Sequence, residues 1–368
     1  MAAITSSRQI LAMCQGVLGK GVRQVAANEI QVPSFAMPRV SSLLRNPRQE
    51  ADAAASPPPA KAAKSGAAPS VPPPPPYLDS DAASVFAYRE WIDTYFYPRI
   101  LATQRKTFNV TIEPHVLAGV PVEVIAPADG VAPEWEGRVL VNLHAGGITF
   151  GARLCGQLES VPVAALAQCK VVSVDYRLAP EHRHPAAAED VEAVLSVLAD
   201  IYGVGSIGLY GYSAGALLAT QAIYRLQQAR KPLPGALALL FGGASYWGEG
   251  DSSTWAPAIS GRSMPPWEEH LYFLGLDGQD PAVFPIRSEE SLRAFPPSLL
   301  MSGSRDFALS SVVHMHSRLV KLGVPTQLNV WEGVAHAFSH DFRLPQSAEL
   351  FDALIDFFDK RLNRTKAA

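Results

Sequence analysis

The stretch Gly211-Tyr212-Ser213-Ala214-Gly215 decides how this chain is read. Before it, Ile207-Gly208-Leu209-Tyr210 is a short apolar run with the character of a buried strand. After it, Ala216 to Leu226 is rich in good helix formers. A G-x-S-x-G pattern therefore falls at a strand-to-helix turn, where a tight elbow lifts a serine off the strand end. Glycines suit such a turn because the flanking positions have little room for side chains. The helix N-terminus behind the serine offers unpaired N–H groups and a dipole that favours developing negative charge. A five-residue pattern with three fixed positions also arises by chance, so the rest of the chain must supply a base, an acid and a set of oxyanion donors.

Composition narrows the classes. The chain has 368 residues, 48% hydrophobic and 18% charged, enough apolar material for a large core in one big or two ordinary domains. A net charge of −3 leaves no overall basic surface, so no nucleic-acid partner is expected. No apolar run reaches the length of about eighteen residues that a transmembrane helix needs. Three cysteines, Cys14, Cys155 and Cys169, lack C-x-x-C spacing and suggest free thiols rather than a disulfide framework or a zinc site. His182 and His184 have no carboxylate or cysteine at ligand spacing, and no metal is expected there.

Outward from the elbow, the chain divides into segments. Residues 1–55 form a tail whose first acidic residue is Glu29, after Arg8, Lys20 and Arg23. Such an acid-poor start resembles a transit peptide; a short amphipathic helix or a disordered tail is the plainer reading. The expected location is cytoplasmic, with a targeted or processed N-terminus as the alternative. Residues 56–76 carry Pro57-Pro58-Pro59 and the run Pro72 to Pro76, and read as a polyproline-like spacer. Residues 77–105 form a cap region, with Val85, Phe86, Tyr88, Trp91, Ile92, Tyr95 and Phe96 mostly at helical spacing over Ala82 to Ile100. Residues 106–364 then alternate between strands and helices. Strands are expected at Lys106–Glu113, Val120–Ile125, Val139–Leu143, Val171–Val174, Ile207–Tyr210, Leu237–Phe241, Leu299–Met301 and Gln327–Trp331, the second as an antiparallel neighbour of the first. Helices are expected at Ala186–Leu198, Ser310–Lys321 and Ala348–Leu362. Short, continuous apolar strands interleaved with helices predict a mostly parallel sheet covered on both faces, with ligands beyond the carboxyl ends of its strands. Residues 246–287, rich in Trp247, Trp255, Trp267, Tyr272 and Phe273, break the alternation and read as an insertion covering the site.

The oxyanion donors are sought at His144-Ala145-Gly146-Gly147, directly after the Val139–Leu143 strand. Adjacent glycines let backbone N–H groups face one cavity, and removing one such donor typically costs about 100- to 1,000-fold in rate. The residues after the elbow contain five candidate bases, His270, His314, His316, His336 and His340. His314 and His316 fall inside a helical pattern and His270 in the insertion. His336 follows the last strand, where a loop can return to the serine, and His340 is its main rival. Asp306, after the preceding strand, is the candidate acid, with a helix N-cap as the plainer reading and Asp341 as the weaker alternative.

Four blocks give the chain a resemblance to the hormone-sensitive-lipase-like family of α/β-hydrolases. His144-Ala145-Gly146-Gly147 resembles the family's H-G-G-G, and Asp175-Tyr176-Arg177-Leu178-Ala179-Pro180-Glu181 matches its D-Y-R-L-A-P-E as it stands. Gly211 to Gly215 resembles its elbow, and Trp331 to Phe338 its histidine segment. The resemblance covers about residues 80–364 and implies an α/β-hydrolase fold, an eight-stranded, mostly parallel sheet with helices on both faces and a helical cap. It implies a serine carboxylesterase needing no cofactor, with Ser213, Asp306 and His336 as the catalytic triad and the Gly146, Gly147 and Ala214 amides as oxyanion hole. Ala145 departs from the family's glycine but keeps its N–H. Asp175, Arg177 and Glu181 are expected to form an ion-pair and turn network beneath the oxyanion loop, not to act as catalytic acids. The implied substrates are small-molecule esters of short to medium acyl chains, with lactones or natural-product esters included. Relatives often dimerise, which makes a homodimer an expectation without a located interface. Two other readings use the same fold: a small-molecule receptor that has lost catalysis, against which His336 argues, and an acyltransferase with the same triad.

Overall fold

The computed structural model describes residues 71–255 and 265–363. The expectations for residues 1–55, for the spacer up to residue 70 and for Cys14 lie outside the described residues, as does the middle of the insertion. Among the described residues no helix is long and apolar enough to cross a membrane.

Eight strands form one sheet in the order β1-β2-β4-β3-β5-β6-β7-β8: β1 (Val110–Leu117), β2 (Val120–Pro127), β3 (Val139–Leu143), β4 (Val171–Val174), β5 (Ile207–Tyr212), β6 (Ala236–Leu240), β7 (Ser298–Arg305) and β8 (Thr326–Ala335). β1 pairs antiparallel with β2, and β2 antiparallel with β4; every later pairing is parallel. β3, β4, β5 and β6 are buried along their whole length, which is why their sequences are continuous apolar runs rather than alternating ones. The two edge strands, β1 and β8, leave much of their length half-buried or exposed.

Each face of the sheet has its own apolar core. Val139, Val141 and Leu143 of β3 pack to one side with helices α4 (Ala186–Tyr202), α5 (Ala214–Gln228) and α7 (Leu309–Lys321). Leu140 packs to the other with α3 (Leu154–Ala167) and the closing helix α8 (Pro345–Arg361). The split follows the two-residue period of a strand. Phe351, Leu354 and Phe358 of α8 are buried on that second face, each worth about 1.5–3 kcal/mol relative to exposure.

The N-terminal cap differs in detail from the expected single helix over Ala82–Ile100. It is α1 (Ala82–Trp91), a π-turn over Ile92–Phe96, and α2 (Tyr97–Thr107). The Tyr97 amide reaches back five residues to the Ile92 carbonyl. Pro98 has no N–H to continue the ordinary ladder, so the register changes here at little extra loss. α2 also runs through Lys106 and Thr107, so the first strand begins at Val110 rather than Lys106. Basic Arg105 and Lys106 close this helix's last turn, where they complement its dipole. Residues 71–76 lie along α1: Trp91 donates to the Pro72 carbonyl at 2.8 Å and Ser84 to the Pro76 carbonyl at 2.9 Å. The described parts of the insertion contribute mainly turns, with single helical turns at Trp267–Glu269 and Pro285–Arg287. A short helix α6 (Glu289–Arg293) leads from it toward β7.

Candidate active site

The site lies at the carboxyl ends of β3, β5, β7 and β8, where parallel-sheet proteins gather their functional loops. β5 ends at Tyr212 and α5 starts at Ala214, leaving Ser213 alone to make the turn. Its φ is +54°, a conformation that costs a non-glycine residue about 1–3 kcal/mol. The surroundings force it: the Ser213 amide donates to the Leu240 carbonyl of β6 at 2.7 Å, and its carbonyl accepts from the Ala216 amide at 2.9 Å. A Cβ at Gly211 would strike the Gly215 carbonyl, and one at Gly215 the Leu143 carbonyl. The two glycines thus let β5, β3 and α5 close on one another.

The structure brings Ser213, Asp306 and His336 together across three chain segments. Ser213 Oγ is 2.8 Å from His336 Nε2, and His336 Nδ1 is 2.6 Å from Asp306 Oδ1. Asp306 is fully buried and follows a β-bulge between Gly303 and Arg305 of β7, a device that re-aims the chain at a strand end. Its carboxylate accepts from the Ala308 amide at 2.8 Å and from Ser302 Oγ at 2.7 Å. An acceptor so held fixes the proton of His336 on Nδ1 and leaves Nε2 to accept from the serine. Phe307 stacks on the imidazole at 4.1 Å and Phe241 meets it edge-on at 5.6 Å, which holds the ring plane.

The loop after β3 carries His144 to Gly147. Its turn is closed by the Thr149 and Phe150 amides, both donating to the Gly146 carbonyl at 2.9 Å. The Gly146 and Gly147 amides take no part in that turn, and Ala214 is the first residue of α5, whose leading amides have no partner in the helix. Gly146 has φ +121°, and a Cβ there would run into the Phe150 backbone. Behind the loop, Tyr176 donates to the His144 carbonyl at 2.7 Å and stacks on the His144 ring at 4.2 Å. Burial disfavours the charged form of the His144 ring and pushes its pKa down.

The network expected around Asp175, Arg177 and Glu181 has a centre that sequence reading missed. Arg89 of α1 donates to the carbonyls of Thr149 and Ala179 and to Glu181 Oε2, the last at 2.9 Å. It thereby ties the cap to the oxyanion loop. Arg177 instead turns outward, to Asp190 Oδ1 at 2.9 Å. Glu159 was missed as well. It is the one charged side chain in α3, which is otherwise apolar or neutral, and that oddity was its available signal.

The remaining histidines and the rival acid separate by geometry. His340 Nε2 is 3.1 Å from Glu159 Oε1, so the nitrogen a base would present to the serine is taken by a carboxylate. Asp341 pairs with Arg343 at 2.7 Å. His314 borders surface hollows with Asp251 and Ser310, away from Ser213. His270 is buried behind Gly147, with Nδ1 accepting from the Tyr272 amide at 3.1 Å and Nε2 3.5 Å from Asp79 Oδ2. Tyr212, beneath the elbow, packs on Phe241 and on the His340 ring.

A cavity of about 200 Å³ opens over Ser213 and His336. Tyr77, Ile92 and Phe96 of the cap and Trp247 of the insertion wall it. The π-turn lies on this wall, at Ile92 and Phe96. Among the described residues, Cys155, Glu159 and His340 form a group whose composition could hold a metal ion, with ligand atoms all within 4.8 Å. Cys155 and His340 each spend that atom on a hydrogen bond to Glu159 Oε1.

A family model described as the alpha/beta hydrolase fold matches residues 140–340, more than half of the chain. Over 232 residues the chain is 28% identical to an acetyl-hydrolase of Streptomyces hygroscopicus, covering 60% of this chain and 76% of that protein. The crystal structure of an esterase, E25, superposes with a TM-score of 0.71 at 32% identity, covering 77% of this chain and 87% of that one. The crystal structure of an esterase from the bacterial hormone-sensitive lipase family superposes with a TM-score of 0.67 at 27% identity, over 76% and 92% of the two chains. An eight-stranded sheet of this order, an elbow serine at its centre and these relatives lead to one assignment: the chain belongs to the α/β-hydrolase fold family, among the hormone-sensitive-lipase-like esterases, and is a carboxylic ester hydrolase.

Proposed function

We propose that this chain is a serine carboxylesterase for short-acyl esters, acetyl esters foremost, working through an acyl-enzyme on Ser213. The observation that carries the reading is the unbroken line Ser213 Oγ, His336 Nε2, His336 Nδ1, Asp306 Oδ1, with contacts of 2.8 and 2.6 Å. Ser213 Oγ attacks the ester carbonyl carbon while His336 Nε2 takes its proton. Asp306 holds the imidazole and stabilises the imidazolium so formed. The amides of Gly146, Gly147 and Ala214 receive the oxyanion. The tetrahedral adduct collapses, His336 returns its proton to the departing alcohol oxygen, and the acyl group stays on Ser213. Water then attacks the acyl carbon with His336 as base, the acid leaves, and Ser213 regains its proton.

The size of the cavity supports a small acyl group: about 200 Å³ is below the roughly 300–1,000 Å³ of sites for drug-sized ligands. The acetyl group in the names of the acetyl-hydrolase relative, and of a versiconal hemiacetal acetate esterase of Dothistroma septosporum, points the same way. The test is a p-nitrophenyl ester series from acetate to dodecanoate on purified protein. Turnover should be greatest for the shortest acyl groups and vanish in Ser213→Ala. Equal, slow turnover by wild type and Ser213→Ala would overturn the reading.

A further inference from the structure

A carboxylate sits behind the oxyanion loop where the chemistry above has no use for one. Glu159 of α3 is 1% exposed. Oε1 accepts from the Ala145 amide at 3.1 Å, from Cys155 Sγ at 3.3 Å and from His340 Nε2 at 3.1 Å, and Oε2 from Asn142 Nδ2 at 3.2 Å. None of these partners is an arginine or lysine. A buried carboxylate paired this way is weak as a source of stability, since an apolar side chain of the same size would avoid the desolvation cost.

Its partners show where it acts. Ala145 is the residue before Gly146, so the bond to its amide fixes the start of the oxyanion loop. Asn142 belongs to β3, which delivers that loop. His340 lies four residues beyond His336, in the short 3-10 turn Phe338–His340 that ends the histidine loop. The His340 ring also stacks on Tyr212, whose next residue is Ser213. One carboxylate thus joins the loop that carries the oxyanion donors to the loop that carries the base, with the elbow between them.

We infer that Glu159 is a positioning residue for ester hydrolysis: through the Ala145 amide and the His340 imidazole it sets the oxyanion loop and the histidine loop against each other across Ser213. The inference rests on the catalytic reading of Ser213 and His336 given above. A donor displaced by a fraction of an ångström from the oxyanion costs transition-state binding while leaving ground-state binding nearly unchanged, so the loss falls on kcat rather than KM. Glutamine keeps an acceptor at the Oε1 place for the Ala145 amide and His340 but must turn its NH2 toward Asn142. It should preserve the arrangement in part, whereas leucine should abolish it.

The test measures kcat and KM on p-nitrophenyl acetate for wild type, Ser213→Ala, Glu159→Gln, Glu159→Leu and His340→Gln, with active-site titration to count competent enzyme. Alongside, it measures affinity for an aryl trifluoromethyl ketone, which adds to the serine as a tetrahedral oxyanion. Glu159→Gln and His340→Gln should lose about tenfold in kcat and Glu159→Leu about 100-fold, with KM within about twofold and ketone affinity falling in step with kcat. The graded recovery from leucine to glutamine is the signature of positioning. Unchanged kcat in both glutamine variants would overturn the inference. So would a kcat loss with ketone affinity intact. If Glu159→Leu does not fold, the two glutamine variants decide alone. An active Ser213→Ala would instead sink the underlying catalytic reading, so the two failures are distinguishable.

Discussion

Two carboxylate–histidine pairs stand a few residues apart in this molecule and do different work. Asp306 and His336 meet at 2.6 Å, Glu159 and His340 at 3.1 Å, and both carboxylates are buried. In the first pair the acid holds Nδ1, and Nε2 is left to face Ser213. In the second the acid holds Nε2 itself, and its other bonds run to the oxyanion loop and to β3. The residue types are nearly interchangeable; which ring nitrogen the acid occupies decides the role. The imidazole held at Nδ1 keeps Nε2 for Ser213 and can pass a proton, while the one held at Nε2 serves as a strut.

Removing the ring is the strongest way to test this contrast. His336→Ala should lower kcat on p-nitrophenyl acetate by about 10⁵- to 10⁶-fold, as loss of a triad base does elsewhere. The strut His340, converted to glutamine, should cost only about tenfold in the same assay. Comparable losses at the two positions would erase the distinction. The next largest effect concerns the acids. Asp306→Asn should cost about 10⁴-fold in kcat with the fold preserved by circular dichroism, because the amide offers no anion to orient the imidazole and stabilise the imidazolium. That is orders of magnitude beyond the loss expected for Glu159→Gln.

A specificity change should follow from the wall that His340 shares with the cap. Phe96, Ala337 and His340 border both the catalytic cavity and a neighbouring groove of about 500 Å³ lined by Ile100, Phe342 and Leu344. Phe96→Ala should join the two spaces. The ratio of kcat/KM for octanoate over acetate esters should rise about tenfold, the scale on which a few methylenes gain an apolar pocket. An unchanged ratio would place the acyl chain elsewhere.

The smallest expected effect sharpens the comparison with a third pair, Asp79 and His270, 3.5 Å apart. Burial pushes the His270 pKa down from the usual 6.5 to about 3. The unfolded chain therefore takes up a proton near pH 6.5 that the folded chain refuses until near pH 3. The stability associated with this group is present above pH 6.5 and is lost as the pH falls toward 3. His184, pushed down to about 4 by burial, acts in the same direction. Thermal melts from pH 7 to 4 should show a shallower decline of Tm in His270→Asn than in wild type, asparagine Oδ1 being able to accept the Tyr272 amide as Nδ1 does. An equal or steeper decline would mean that His270 takes up its proton within the fold.

Much of the sheet, and the meeting of Ser213, His336 and Asp306, was legible because the signals are local. The strand Val139–Leu143 and the strand Val171–Val174 stand where their apolar runs end, and the elbow lies between its strand and helix as the turn chemistry requires. His336 could be preferred over His340 from its place after the last strand, but nothing in Trp331 to His340 says which nitrogen each ring presents. Asp341 likewise matches Asp306 in residue type and differs in its partner, the neighbouring Arg343, which occupies both carboxylate oxygens. The aromatic residues of the cap keep the spacing of one helix; the π-turn depends on how Pro98 and the residues before it settle against the site.

The sequence by itself determined the eight strands along the chain, the elbow at Ser213, the glycines that make room for it and the family to which the chain belongs, but not α3 (Leu154–Ala167) or the order of strands in the sheet. These rest on periodicity, turn chemistry and short motifs, which act over a few residues. Tertiary structure alone decided what Arg89, Glu159, His270 and Phe96 do. Arg89 meets Glu181 across 92 residues of chain and Glu159 meets His340 across 181. Partners that far apart are chosen by the closure of loops over the sheet, and no local pattern records them.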